Sequence, residues 1–360
     1  MKSQIFNSRA TLLVGCLFVA LLSCNDADDL NLKPVGAVPT WGPTIKPEMQ
    51  VVIEKLASLG GKPIETLEPA EARMQPTPTD AVMAVMKDYN IATPAAKCDT
   101  VGRDIPVTDG TTRIRIYTPK TGAASYPVVV YYHGGGFVIA DINVYNSSSQ
   151  ALCEQVNAIV VSVEYPKGPE KKFPAAHTVA FDAYQWVMKN AASIKGDSSK
   201  IAVVGESAGG NLAANVSIMA RDKGVKMPLY QVLVYPVANS DMNSESYVKY
   251  ADAKPLNKAM MAWFVKHALK SPAEAADPRI SLVNANLTGL PKTLIIGAEI
   301  DPLQTEGKLL SDKLKAANVA TDYQLYTGVT HEFFGMAAVV PQAKEAQALA
   351  ASKLKAALGL

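Results

Sequence analysis

The chain has 360 residues, 48% of them hydrophobic and 19% charged, with a formal net charge of +2. That length allows one large domain or two smaller ones around a sizeable core. A near-neutral chain without a basic stripe, low-complexity tract or internal repeat predicts no nucleic-acid partner.

The first 23 residues read as a targeting segment. Lys2 and Arg9 supply a positive start, and "TLLVGCLFVALLS" is an apolar stretch too short to span a bilayer comfortably. It ends in Leu21-Leu22-Ser23-Cys24, which resembles a bacterial lipobox, whose cysteine is lipidated and becomes the mature N-terminus. Cleavage would remove Lys2, Arg9 and no acid, leaving a formal charge of zero. Acyl chains on Cys24 would anchor the body to a membrane surface without spanning it. The acidic run Asp26, Asp28 and Asp29 resembles export signals of some surface lipoproteins, so the expected location is periplasmic or cell-surface. With Cys16 leaving and Cys24 lipidated, Cys98 and Cys153 remain, far apart and a poor disulfide framework, the latter in an apolar helical pattern that suits a buried free thiol.

Residues 24–47, with four prolines and few bulky apolar groups, read as a tether. Helical spacing follows over 48–60, stopped by Gly60-Gly61, and again over 79–89. From about 112 the pattern changes to short strands: "TRIRIYTP", "PVVVYYHG", "AIVVSVEY", "IAVVGES", "YQVLVYPV", "TLIIGAE" and "ATDYQLYTG". Helices are expected between most of them, near 144–157, 174–192, 208–223, 257–269 and 305–317. Apolar strands alternating with helices indicate an α/β fold with a mostly parallel sheet covered on both faces. Sites in such sheets lie beyond the carboxyl ends of the strands, where "HGGG", "GESAGG", "AEIDPL" and "GVTHEFF" all stand.

These four motifs carry the chemistry. Strand, then Gly205-Glu206-Ser207-Ala208-Gly209, then helix is a nucleophile elbow in its required context. A phosphate loop fails on spacing, with no GxGxxG and no following Lys-Ser/Thr pair. A serine hydroxyl needs a base. Of four histidines, His133 belongs to the glycine motif, while His177 and His267 sit in helices and read as structural. His331, on a loop after the last strand, is the candidate base. Asp301 is the candidate acid that orients it, with Glu299 its rival. Attack by Ser207 on an ester carbonyl would make an oxyanion, for which the amides of Gly135, Gly136 and Ala208 are the candidate donors. There is no HExxH and no His/Cys cluster at ligand spacing, so no metal is expected.

Together "HGGGF", "GESAGGNLA", "AEIDPL" and "THEFF" resemble the hormone-sensitive-lipase group of bacterial carboxylesterases, within the α/β-hydrolase superfamily. "FPAA" at 173–176, "GLPKTLIIGAE" at 289–299, "MMAWFVKH" at 260–267 and "LASLGGKPIETLEPAEAR" at 56–73 fit the same pattern, so the resemblance spans roughly 48–358. The order Ser207, Asp301, His331 is that of the superfamily. The resemblance implies an α/β-hydrolase body over 96–360 and a helical cap from 48–95 and 239–270. It further implies hydrolysis of short- to medium-chain carboxylic esters through an acyl-enzyme on Ser207, without a cofactor; homodimers are common in the group. One departure concerns the pocket rim: "YPKGPE", Tyr165 to Glu170, places Pro166 and Lys167 where the family commonly has arginine and leucine. Two rival functions share the fold. Plant gibberellin receptors resemble these esterases but lack the working histidine, which is present here; a serine peptidase or amidase would use the same three residues.

Overall fold

The computed structural model describes Met1 and residues 30–360; the expected signal peptide, Cys16, Cys24 and the acidic run that follows lie outside the described residues. An eight-stranded sheet forms the centre, in the order β1-β2-β4-β3-β5-β6-β7-β8. The strands are β1 (Cys98–Val107), β2 (Gly110–Pro119), β3 (Tyr126–Tyr132), β4 (Ile159–Val163), β5 (Gly196–Glu206), β6 (Tyr230–Val234), β7 (Lys292–Ile300) and β8 (Thr321–Thr330). β2 runs antiparallel to both β1 and β4, and every pair from β4 to β8 is parallel.

Strand periodicity divides the core in two. Val128, Val130 and Tyr132 of β3 face one side with Val203 of β5 and the helices α5 (Ala175–Asn190), α6 (Ala208–Asp222) and α9 (Gln304–Ala316). Val129 and Tyr131 face the other with Val204, α4 (Asn146–Val156) and α10 (Pro341–Leu358). Six more short or terminal pieces matter for the site: α1 (Pro47–Ser58), α2 (Pro69–Ala72), α3 (Pro78–Asp88), α7 (Glu245–Lys249), α8 (Lys258–Ala268) and the turn at Phe333–Met336. α3 begins on a capping box, Thr77 and Asp80 each accepting the other's backbone amide.

Three expectations need correction. The tether reading does not extend to residues 30–46, which lie along the body: Leu32 and Ile45 are buried, and the Lys46 amide donates to Gly328 O at 2.9 Å. The prolines there extend the chain, while those apolar residues bind it down. The strand β1 precedes the expected first strand and forms a hairpin with it; its outer residues are polar and exposed, so its alternation is weak. The last helix, α10, was also absent from the expected elements. Finally, Cys98 on β1 and Cys153 on α4 are both buried free thiols, as expected for Cys153, and the fold brings them together. Burial first, and then Cys98, pushes the Cys153 thiol well up.

Candidate active site

The four motifs meet at the carboxyl edge of the sheet. β5 ends at Glu206, and the chain reverses at Ser207 (φ 56°, ψ −117°) to start α6. A serine tolerates that backbone only where its surroundings fix it. Here the Ser207 amide donates to Val234 O at 2.9 Å, and Ser207 O accepts from Val237 and Asn211. A Cβ on Gly209 would strike the carbonyls of Tyr132 and His133, so the elbow can press against β3 only with glycine there.

The next strand end supplies the glycines. Gly135 and Gly136 have φ of 105° and 58°, and a Cβ on Gly136 would fall on the Phe264 ring. Among the described residues, neither amide donates to a backbone acceptor. Ala208 is the first residue of α6, a position whose amide has no intrahelical partner. All three expected donors therefore have an amide free to bind.

His331 and Asp301 meet as expected, Nδ1 donating to Asp301 Oδ2 at 2.7 Å with both side chains buried. Nε2 is left as the basic nitrogen. Burial would lower the His331 pKa, but the charge and hydrogen bond of Asp301, with Glu332 behind them, raise it above the ordinary value. Asp301 Oδ1 also accepts from the Leu303 amide at 2.9 Å, so one carboxylate both caps the following turn and holds the ring. The rival Glu299 faces elsewhere, accepting from Thr44 Oγ1 at 2.9 Å and the Gly328 amide at 2.7 Å.

The other histidines are structural. His133 Nδ1 bonds Gly134 O at 2.7 Å and its ring stacks on Tyr165, whose hydroxyl donates to His133 O. His177 bonds Asn211 Oδ1 at 2.9 Å, and burial holds its pKa at about 4. His267 packs on Trp263 within α8. The rim departure is accommodated: Lys167 Nζ donates to Ala140 O and Glu164, and Glu170 pairs with Arg73.

Ser207, His331, Gly135 and Gly136 line a cavity of about 420 Å³. Its lining also includes Ile53 and Leu56 of α1, residues 61–65, 72–73 and 75–78, Leu256, Met260 and Phe264 around α8, and Asp141, Tyr145 and Glu332.

Three residues escaped the sequence analysis. Glu206, the variable residue of the elbow, is wholly buried and accepts from Tyr131 and Tyr235, each at 2.5 Å. Burial, opposed by those hydroxyls, pushes its pKa up to about 7. Glu332 follows the histidine in a left-handed conformation and accepts from Tyr145 Oη at 2.6 and 2.7 Å. A carboxylate at the end of an apolar strand needs buried partners, and the tyrosines in "VVVYYH" and "VLVYPV" were the available signal for Glu206. Tyr145 and Glu332 are 187 positions apart, and no local pattern links them.

Known proteins resemble this arrangement. The alpha/beta hydrolase fold family matches residues 129–335. Carboxylesterase NlhH of Mycobacterium tuberculosis is 38% identical over 259 residues, 71% of this chain and 79% of that one. An ethyl acetate hydrolase of Pseudomonas putida is 30% identical over 290 residues, 79% and 88% of the two chains. Among solved structures, an esterase of Pyrobaculum calidifontis superposes with a TM-score of 0.77 at 35% identity, covering 87% of this chain and 98% of that one.

Proposed function

The chain belongs to the alpha/beta hydrolase fold family as a hormone-sensitive-lipase-like serine carboxylic ester hydrolase, and from that premise we propose how its residues perform the reaction. Ser207 is the nucleophile, His331 the base, Asp301 the group that orients it, and the amides of Gly135, Gly136 and Ala208 the oxyanion donors. His331 Nε2 takes the Ser207 proton as Oγ attacks the ester carbonyl, then gives it to the departing alcohol. Water, deprotonated by the same nitrogen, attacks the acyl-enzyme; its oxygen joins the carbonyl carbon, the bond to Oγ breaks, and the acid leaves. The observation carrying this reading is the 2.7 Å bond between His331 Nδ1 and Asp301, buried at the edge of the cavity that Ser207 also lines.

The test is initial rates on p-nitrophenyl esters of two to twelve acyl carbons, for the lipid-free body and its Ser207→Ala variant. Turnover should fall by at least ~10⁴-fold in the variant; full activity would overturn the assignment. We further propose a short- to medium-chain preference, supported by a cavity near the lower end of the range for small-molecule sites. The roof of that cavity, from 48–95 and 239–270, would act as the cap. Lipidation of Cys24, with export to a membrane surface, is supported by the "LLSC" sequence. Cys24→Ala should release the protein from the membrane fraction, and undiminished association would overturn that part. Homodimerisation rests on the family resemblance and is tested by sedimentation.

A further inference from the structure

Glu332 has a place in the site that the steps above do not use. Glu332 lines the same cavity as Ser207 and His331. Tyr145 donates to it at 2.6 and 2.7 Å and thereby fixes its direction. One oxygen, Oε1, lies 3.9 Å from His331 Nε2, the nitrogen that must accept the proton in each half-reaction. Among the described residues no other carboxylate stands within 4.0 Å of that nitrogen. Asp301 is on the ring's other nitrogen. Asp141 and Glu65, also in the lining, are engaged by Asn143 with Val144 and by Asn257.

A separation of 3.9 Å is too long for a direct hydrogen bond, but it suits a shared partner. A water at ordinary hydrogen-bond length from both atoms would see them about 90° apart, near the angle between its own two O–H bonds. Such a water would give one hydrogen to Nε2 and the other to Glu332, turning a lone pair outward. The backbone holds the carboxylate there at some cost: Glu332 has φ 71°, a left-handed conformation that side chains other than glycine and asparagine seldom adopt. Glu332 also borders a second cavity of about 20 Å³, shared with Glu206, Ser147 and Ser148, which has room for about one water.

We propose that Glu332, anchored by Tyr145, is a positioning residue for deacylation: it orients the hydrolytic water against His331 Nε2. The proposal rests on the acyl-enzyme reading above. The water's oxygen bonds to the acyl carbon, its first proton passes to Nε2, and its second hydrogen stays bonded to oxygen, directed at Glu332. When the intermediate collapses, Nε2 returns the proton to Ser207 Oγ. Glu332 exchanges no proton in this sequence.

An alcohol acceptor makes the distinction sharp. Methanol has a single O–H, which must serve His331, so it cannot donate to Glu332 at the same time. Losing the carboxylate should therefore slow attack by water more than attack by methanol. Glu332→Gly is the suitable variant, because glycine accepts the left-handed backbone without strain. With p-nitrophenyl acetate it should show a burst of one p-nitrophenolate per site, then steady turnover about 10-fold slower than wild type. The ratio of methyl acetate to acetate formed at fixed methanol should rise by a similar factor. Tyr145→Phe, which keeps the carboxylate but frees it, should shift the ratio the same way by less, and serves if the glycine variant folds poorly.

An unchanged ratio with both products slowed alike would overturn the proposal, since a merely structural role predicts that. A shift in favour of water would overturn it as well. Failure of the acyl-enzyme reading looks different: Ser207→Ala would then retain turnover, and no enzyme would show a burst.

Discussion

The floor and the roof of the cavity are held in different ways. On the floor the backbone itself is constrained: Ser207 sits at φ 56°, Gly135 at 105° and Gly136 at 58°. Ser207 is held by its bond to Val234 of β6, Gly135 by the turn it closes with Val138 and Ile139, and Gly136 by its close packing on Phe264; the reacting groups follow from where the strands end. The roof is ordinary helix and loop joined by side chains. Trp263 Nε1 donates to Leu67 O at 2.9 Å, Asn257 Nδ2 to Glu65 at 3.1 Å, and Arg73 reaches across to the rim. Substitutions on the floor should therefore remove chemistry, while those in the roof should grade binding.

The largest test of that contrast compares two acids two residues apart. Asp301→Asn keeps the shape but loses the charge and disturbs the tautomer of His331, and kcat should fall by roughly 10³–10⁴-fold. Glu299→Gln, whose partners are Thr44 and Gly328, should change kcat by less than about 3-fold. The reverse ranking would move the acid to Glu299. Next in size is Gly136→Ala. The added methyl meets the Phe264 ring from the roof and forces an unfavourable φ, moving one oxyanion donor. A loss of about 10²–10³-fold in kcat is expected; an unimpaired variant would remove Gly136 from the donor set.

The pH profile tests the floor's electrostatics without changing its shape. Burial favours the neutral His331 ring, yet Asp301 and then Glu332 outweigh it and raise the pKa. Catalysis needs the unprotonated Nε2. Activity should thus be full at alkaline pH and fall as pH drops through a value above the ordinary ~6.5 of imidazole. In Asp301→Asn the largest raising contribution is gone, so the acid limb of kcat/KM should move to lower pH. A wild-type limb below the ordinary value, with the protein still folded, would contradict the assignment.

The same contrast explains what was legible in the sequence. The floor was legible because each part is local: a strand, a turn residue and a helix start occur within ten positions, as in "IAVVGESAGG". Even the choice between Asp301 and Glu299 could be posed, though the bonds that favour Asp301, its own to His331 and those of Glu299 to Thr44 and Gly328, join residues no local pattern links. The roof helices were visible from their spacing, but their pairing joins Leu67 to Trp263 across 196 positions. Such contacts depend on which chain segments the sheet order brings together. β1 was missed because an outer strand with a mostly solvated surface has little apolar alternation to show. Residues 30–46 were misread since a few buried side chains, Leu32 and Ile45, outweigh a proline-rich composition.

The smallest expected effect concerns the fastener between roof and floor. Arg73, at the end of α2, donates from Nε to Val138 O at 2.9 Å and from Nη2 to Gly168 O at 2.7 Å, and it grips Glu170 with two bonds. Val138 lies two residues after Gly136, so the arginine ties the roof to the oxyanion loop. Its worth is unevenly divided. Glu170 is mostly exposed, with 61% of its side chain accessible, and water replaces much of that pairing. The two carbonyls are partly buried and lose a charged donor if the arginine goes. Arg73→Ala should cost about 1–3 kcal/mol in unfolding free energy and raise KM several-fold with a smaller change in kcat. Glu170→Gln should cost under about 1 kcal/mol and leave KM near wild type. If the two variants proved equal, the exposed ion pair would be the fastener, and the rim loop, not the oxyanion loop, would be what holds the roof.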